Sequence, residues 1–138
     1  MQTDLARRCE TLEESYEFML SYAAQGRASD EGSESGSQLR EHLRRAAGAL
    51  SGMEACCASL METKASESAA PYRRFFEILA QDAEKAGAAI DLVLAQPAIG
   101  SQLIDNLNAS IHLRALLTDL FLVTEILSAR QTQAKALA

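Results

Sequence analysis

Three cysteines, two histidines and four methionines are the residues of this chain whose chemistry goes beyond charge and packing. Cys9 lies in a first amphipathic segment and the adjacent pair Cys56-Cys57 in a second. Folding one segment back on the other brings Cys9 within about one helical turn of Met53 and Cys57. Two thiols and a thioether at one level of a core would suit a redox couple, a soft metal, haem or a small apolar molecule. Cys9, Met53 and Cys57 are therefore the cofactor-binding candidates. The competing reading is stronger: free cysteines are usually small, buried, apolar core residues. Cys56-Cys57 lacks C-x-x-C spacing, and no further Cys or His completes a zinc motif. The expectation is no cofactor and no metal.

The other constellations are weaker. His112 falls on a polar helical stripe with Asp105, Asn108, Asp119 and Arg130, and His42 falls at the edge of an apolar seam. Neither position is that of an inward ligand. A di-iron bundle requires Glu-x-x-His pairs, and the chain has none. It also lacks a C-x-x-C-H haem attachment sequence, a G-x-x-x-x-G-K-[ST] phosphate loop and a G-x-S-x-G elbow. No catalytic constellation remains, so an enzyme is not expected.

Charge narrows the partners. A net charge of −6 over 138 residues opposes binding to nucleic acid and to anionic membrane surfaces. No apolar run is long enough to span a bilayer. The N-terminal MQTDLARRCETLEE lacks a signal peptide's apolar region, and an odd cysteine count fits a reducing compartment. A cytoplasmic protein is expected.

The elements that would position these residues are helices. Hydrophobic residues make up 48% of the chain but aromatic ones only 5%, which suits helix-on-helix packing by Leu, Ala, Ile and Met. Leu5, Cys9, Leu12, Tyr16, Met19 and Ala23 recur at spacings of four and three, giving a first helix over about 3–24. The Gly-, Ser- and acid-rich stretch 25–36 reads as a flexible exposed loop. Ser35, with Gln38 three residues on, or Ser37 would cap the next helix. That helix, over about 37–64, carries Leu39, Leu43, Ala46, Leu50, Met53, Cys57 and Leu60 on its seam. Gly48, Gly52, Ala55 and Ser59 form a ridge of small residues behind it. The ridge marks either the close approach of another helix or glycines tolerated on an exposed face.

Ser68 and Pro71 open a third helix over about 70–96, closed by Pro97, with Tyr72, Phe75, Phe76, Leu79, Ala83, Ala86, Ile90, Val93 and Leu94 on one side. Ser101 would cap a fourth over about 101–131, one uninterrupted helix, with the terminal QTQAKALA frayed. The fourth helix has two apolar sides. Leu103, Leu113, Leu116, Leu117, Leu120, Phe121 and Leu127 make a broad face; Ile104, Ile111, Ala115 and Leu122, with Ile126 at the edge, make a second stripe. Arg114, Thr118 and Glu125 run between them, and Arg114 would need a partner if buried. The fold expected is an all-α, single-domain, up-down-up-down antiparallel four-helix bundle. Its second stripe, with Phe18 and Tyr22 from the first helix, would close a homodimer about a twofold axis.

Arg40, Arg44 and Arg45 form a basic cluster on the second helix, either for an acidic partner or to face Glu13, Glu14 and Glu17 across a hairpin. Ala46, Ala83 and Ala86 would leave a core cavity or simply draw helices together. The function expected is that of a non-enzymatic interaction or regulatory accessory subunit that pairs with itself and with another protein. The alternative is a bundle that holds a ligand in its core.

Overall fold

The computed structural model describes residues 3–63 and 69–137. Among these the fold is all-helical: α1 (Asp4–Ala24), α2 (Glu34–Ser51), α3 (Met53–Thr63), α4 (Ala69–Leu94), α5 (Ser101–Ala109) and α6 (Ile111–Leu137). None of these helices is long and apolar enough to cross a membrane.

The seams form the core as their spacing predicts. Leu5, Cys9, Leu12 and Met19 of α1 are buried with Leu39, Leu43, Ala46 and Leu50 of α2, Met53 and Cys57 of α3, and Phe76, Leu79, Ala83, Ala86 and Ile90 of α4. α1 packs along α2 and α5, α2 along α4, and α4 along α3 and α6. α1 and α2 run antiparallel: the Ser15 hydroxyl donates to the His42 carbonyl and, further back along α1, Arg8 donates to Ala49. Ala46 and Ala86 sit deep in the core, at 2% and 0% exposure, where they draw helices together.

Two expected helices are broken. The second bends at Gly52 (φ −97°, ψ 5°), whose missing Cβ leaves room for the Arg8 guanidinium. This is the close approach that the small-residue ridge suggested, but by a side chain rather than a helix. A Cβ on Gly48 would meet nothing within 4 Å, so that glycine is simply tolerated on an exposed face. The fourth helix breaks at Ser110 (φ −58°, ψ 132°). Ser110 starts α6 by accepting the His112 N–H on its hydroxyl, 3.3 Å, as serines at helix starts do. α6 then runs through the tail expected to fray, as far as Leu137.

The segment 25–33 makes polar contacts with the elements around it. The buried Asp30 carboxylate pairs with Arg40 and accepts the Ile99 N–H at 2.7 Å. Arg40 also donates to the carbonyls of Leu94, Gln96 and Pro97. One guanidinium thus joins this loop to the start of α2 and the end of α4. Ser101 does not cap α5; Gly100 holds that position. Its hydroxyl instead donates to the Tyr22 carbonyl and accepts the Arg27 N–H. The α2 cap is Ser33 rather than Ser35 or Ser37, accepting the Gly36 N–H at 3.0 Å. The expected Ser68 cap lies outside the described residues.

Candidate functional site

The thiols are buried and quiet. Exposures are 5% for Cys9, 7% for Cys56 and 1% for Cys57. Burial pushes the Cys9 and Cys57 thiols up to about 12, with the Glu13 carboxylate adding to the effect at Cys9. Burial, then Asp4, pushes Cys56 up to about 11. A thiol so rarely ionised is a poor nucleophile and a poor metal ligand. Cys9 donates to the Glu13 carboxylate at 3.3 Å, a contact within its own helix. Among the described residues no group of three His, Cys, Asp or Glu side chains converges as a metal site.

The histidines are equally plain. His112 is exposed. The His42 ring stacks on Phe18 with centroids 4.5 Å apart, and burial, then the nearby Arg45, lowers its basicity. Among the described residues the basic cluster makes no ion pair with Glu13, Glu14 or Glu17: Arg40 pairs with Asp30, and Arg45 pairs with Glu41 on its own helix. Arg114 is exposed and needs no buried partner.

The second stripe of the fourth helix divides at the Ser110 break. Ile104, on α5, is fully buried, whereas Ile111, Leu122 and Ile126, on α6, are 75%, 52% and 40% exposed. Ala115 is half-buried. A single helical wheel over 101–131 places Ile104 beside Ile111 only if the helix is continuous. Tyr22 also leaves the expected interface: it is 0% exposed and donates its hydroxyl to the Ile99 carbonyl at 2.7 Å. Phe18 is half-buried against His42. Ser110 was the readable sign of the break, since serine competes for backbone hydrogen bonds and favours helix starts.

The outward residues of α6 line an apolar groove. Leu122, Val123, Ile126 and Leu127 form one wall, and Pro71, Tyr72, Phe75 and Phe76 of α4 form the other, enclosing about 360 Å³. Phe121, 49% exposed, stands next to it in sequence. Helical spacing explains the site: α4 and α6 each bury one face against the core and, among the described residues, leave the flanking apolar positions without a covering element. The α4 aromatics were legible as core, but their meeting with Leu122 and Ile126 depends on how the helices pair.

Further along the same two helices, Asp119 of α6 and Asp82 of α4 are partly buried neighbours. Burial, then the hydrogen bond and charge of Asp82, raises the Asp119 carboxyl to about 7. Partial burial and the neighbouring carboxyl both favour the protonated form of Asp119. Sequence reasoning placed Asp119 on a solvated stripe and missed this pair.

On the other flank of α4 lies a larger cleft of about 660 Å³, between α2–α3 and α4. Ala83, one of the three seam alanines, lines it. Compared with protein-family models, curated proteins and solved structures, the chain matches none.

Proposed function

We propose that this protein is a non-enzymatic, cytoplasmic accessory subunit: an up-down-up-down four-helix bundle that forms a homodimer through α4 and α6. The observation that carries the reading is the groove whose eight lining residues are all apolar or aromatic. The exposed Leu122, Ile126 and Phe121 stand in or beside it. Knobs and groove on one surface are what a twofold interface requires, because each copy then supplies both halves of the contact. An apolar patch rimmed by polar residues is a usual mark of such a site. The raised pKa values of the thiols favour this reading over a redox or soft-metal core.

Sedimentation velocity over a concentration series tests it. Wild-type protein is expected to sediment as a dimer, and Leu122→Glu/Ile126→Glu as a monomer with unchanged helicity by circular dichroism. A wild-type monomer at 100 µM-order concentration, roughly the range where weak specific dimers still assemble, would overturn the proposal. So would a variant that stays dimeric.

A further inference from the structure

The cleft between α2–α3 and α4 carries a pattern on both walls, of which only Ala47 and Met61 also pack in part against the core. On the α4 wall, Glu77, Glu84 and Asp91 recur every seven residues, and all three are exposed. Between them Ala80, Gly87 and Ala88 keep the floor low. On the facing wall Ala47, Ser51, Glu54, Ala58 and Met61 follow one another at spacings of four and three. That is a second seam beside the one that fills the core. Residues repeating every seven or every four and three keep facing the same neighbour only when the neighbour is itself a helix lying alongside.

The walls also fix the size and charge of the occupant. Small side chains on both sides allow a helix axis to approach closely. From Glu77 to Asp91 is fourteen positions, about 21 Å at 1.5 Å per residue, or four turns of helix. Among the described residues, the cleft lining holds no lysine or arginine, and none of Glu54, Glu77, Glu84 and Asp91 is in an ion pair. Four carboxylates around an apolar floor, none in an ion pair among the described residues, disfavour a second copy of this chain meeting cleft to cleft, through like-charge repulsion. They also disfavour nucleic acid and anionic lipid. They complement a helix with lysine or arginine at every seventh position and small apolar residues between.

We infer that this cleft is the docking site for a partner protein's short amphipathic basic helix, laid along α4 with its cations against Glu77, Glu84 and Asp91. The inference deepens the accessory-subunit reading and rests on it only for the view that the protein acts by binding. The dimer groove lies on another flank of α4 and shares only the buried Phe76 with the cleft, so the two fail separately.

The test uses the full chain and a fluorescein-labelled 18-residue peptide with alanine and leucine on one face and lysine at every seventh position. Anisotropy titrations are run in 50 mM and 500 mM NaCl beside a scrambled peptide of equal composition. Saturable binding is expected, about tenfold weaker at high salt. It is expected to weaken about tenfold or more for Glu77→Lys/Glu84→Lys/Asp91→Lys, whose charges lie at the interface. Ala88→Trp, at an exposed lining position, is expected to block the peptide while leaving the circular dichroism and the dimer unchanged. Absence of saturable binding, equal binding of the scrambled peptide, or an affinity within twofold after charge reversal would each overturn the inference. Loss of the dimer in the charge-reversed protein would also overturn it, by placing a second copy in the cleft. Peptide binding by a monomeric protein would leave it standing and remove only the dimer.

Discussion

The two ends of α4 differ in what they do with their exposed chemistry. At the C-terminal end, polar groups are used internally. Arg40 serves Asp30 and three backbone carbonyls, and Tyr22, Arg27 and Ser101 bond to one another's backbones and to Ile99. A Cβ on Gly36 would overlap the Asp30 carbonyl, and one on Gly100 would lie 2.8 Å from the Ala28 carbonyl. At the N-terminal end, Phe75 and Tyr72 face Leu122 and Ile126 across an apolar groove that no other described residue lines. One end is closed by hydrogen bonds that need only this chain. The other leaves apolar surface to be covered, and apolar surface is what drives association.

The contrast breaks most severely at Arg40. Arg40→Ala leaves the Asp30 carboxylate buried without its cation, and removing one partner of a buried pair costs about 3–5 kcal/mol. A drop of that size in chemical denaturation is expected; a change under about 1 kcal/mol, the usual range for a surface pair, would show that the closed end is not what holds the loops. Next comes Asn108, 6% exposed, whose amide oxygen and nitrogen both lie without a hydrogen-bond partner among the described residues. Replacing it with leucine is expected to raise stability by about 1 kcal/mol, since a buried polar group without a partner carries a desolvation cost of about 1–3 kcal/mol. Destabilisation by Asn108→Leu would mean that the amide has a structural role.

Two carboxyls sharpen the comparison through pH, with opposite signs. Arg40 first, then the Ile99 N–H, holds the Asp30 carboxyl below its ordinary 3.8 against the opposing effect of burial. Its contribution to stability is present above that value and is lost as pH falls further. Asp119 is raised from 3.8 to about 7. Its contribution is complete below the lower value and is lost as pH rises through about 7. Asp119→Asn is therefore expected to flatten the fall in stability between pH 4 and pH 8. It should raise stability at pH 8 by on the order of 1 kcal/mol, a modest figure because water reaches part of the pair. A pH profile unchanged by Asp119→Asn would show that the two carboxyls are not coupled. The smallest effect on folding belongs to the open end. Leu122→Glu is expected to change unfolding free energy by only about 0.5 kcal/mol, the range of exposed substitutions, while abolishing self-association. A large loss of stability with the dimer intact would place Leu122 in the core instead.

Periodicity carried most of the fold. The four-three seams of α1, α2–α3 and α4 were readable because each helix buries one continuous stripe, and Leu5, Leu12, Leu39, Leu43, Met53, Phe76 and Leu79 all lie in the core. The helix breaks at Gly52 and Ser110 were harder, because an apolar repeat can continue in sequence across a single residue that leaves the helical conformation. That one ψ of 132° at Ser110 turned Ile104 into the core and left Ile111 outside. The contacts of the loop 25–33 were illegible for a related reason. Gly, Ser and Asp are as common in tightly hydrogen-bonded turns as in loose ones, and Asp30 finds its partners at Arg40 and Ile99, far away in sequence.

The amino-acid sequence by itself determined the helical class, most of the core seam and the acidic balance, because those follow from local spacing and composition. Tertiary structure alone decided that Asp119 meets Asp82, that Tyr22 closes one end, and that Phe75 and Ile126 share a groove. Each of these joins residues on separate elements. Their distances depend on the crossing of helices and the placement of two breaks, which no local periodicity encodes.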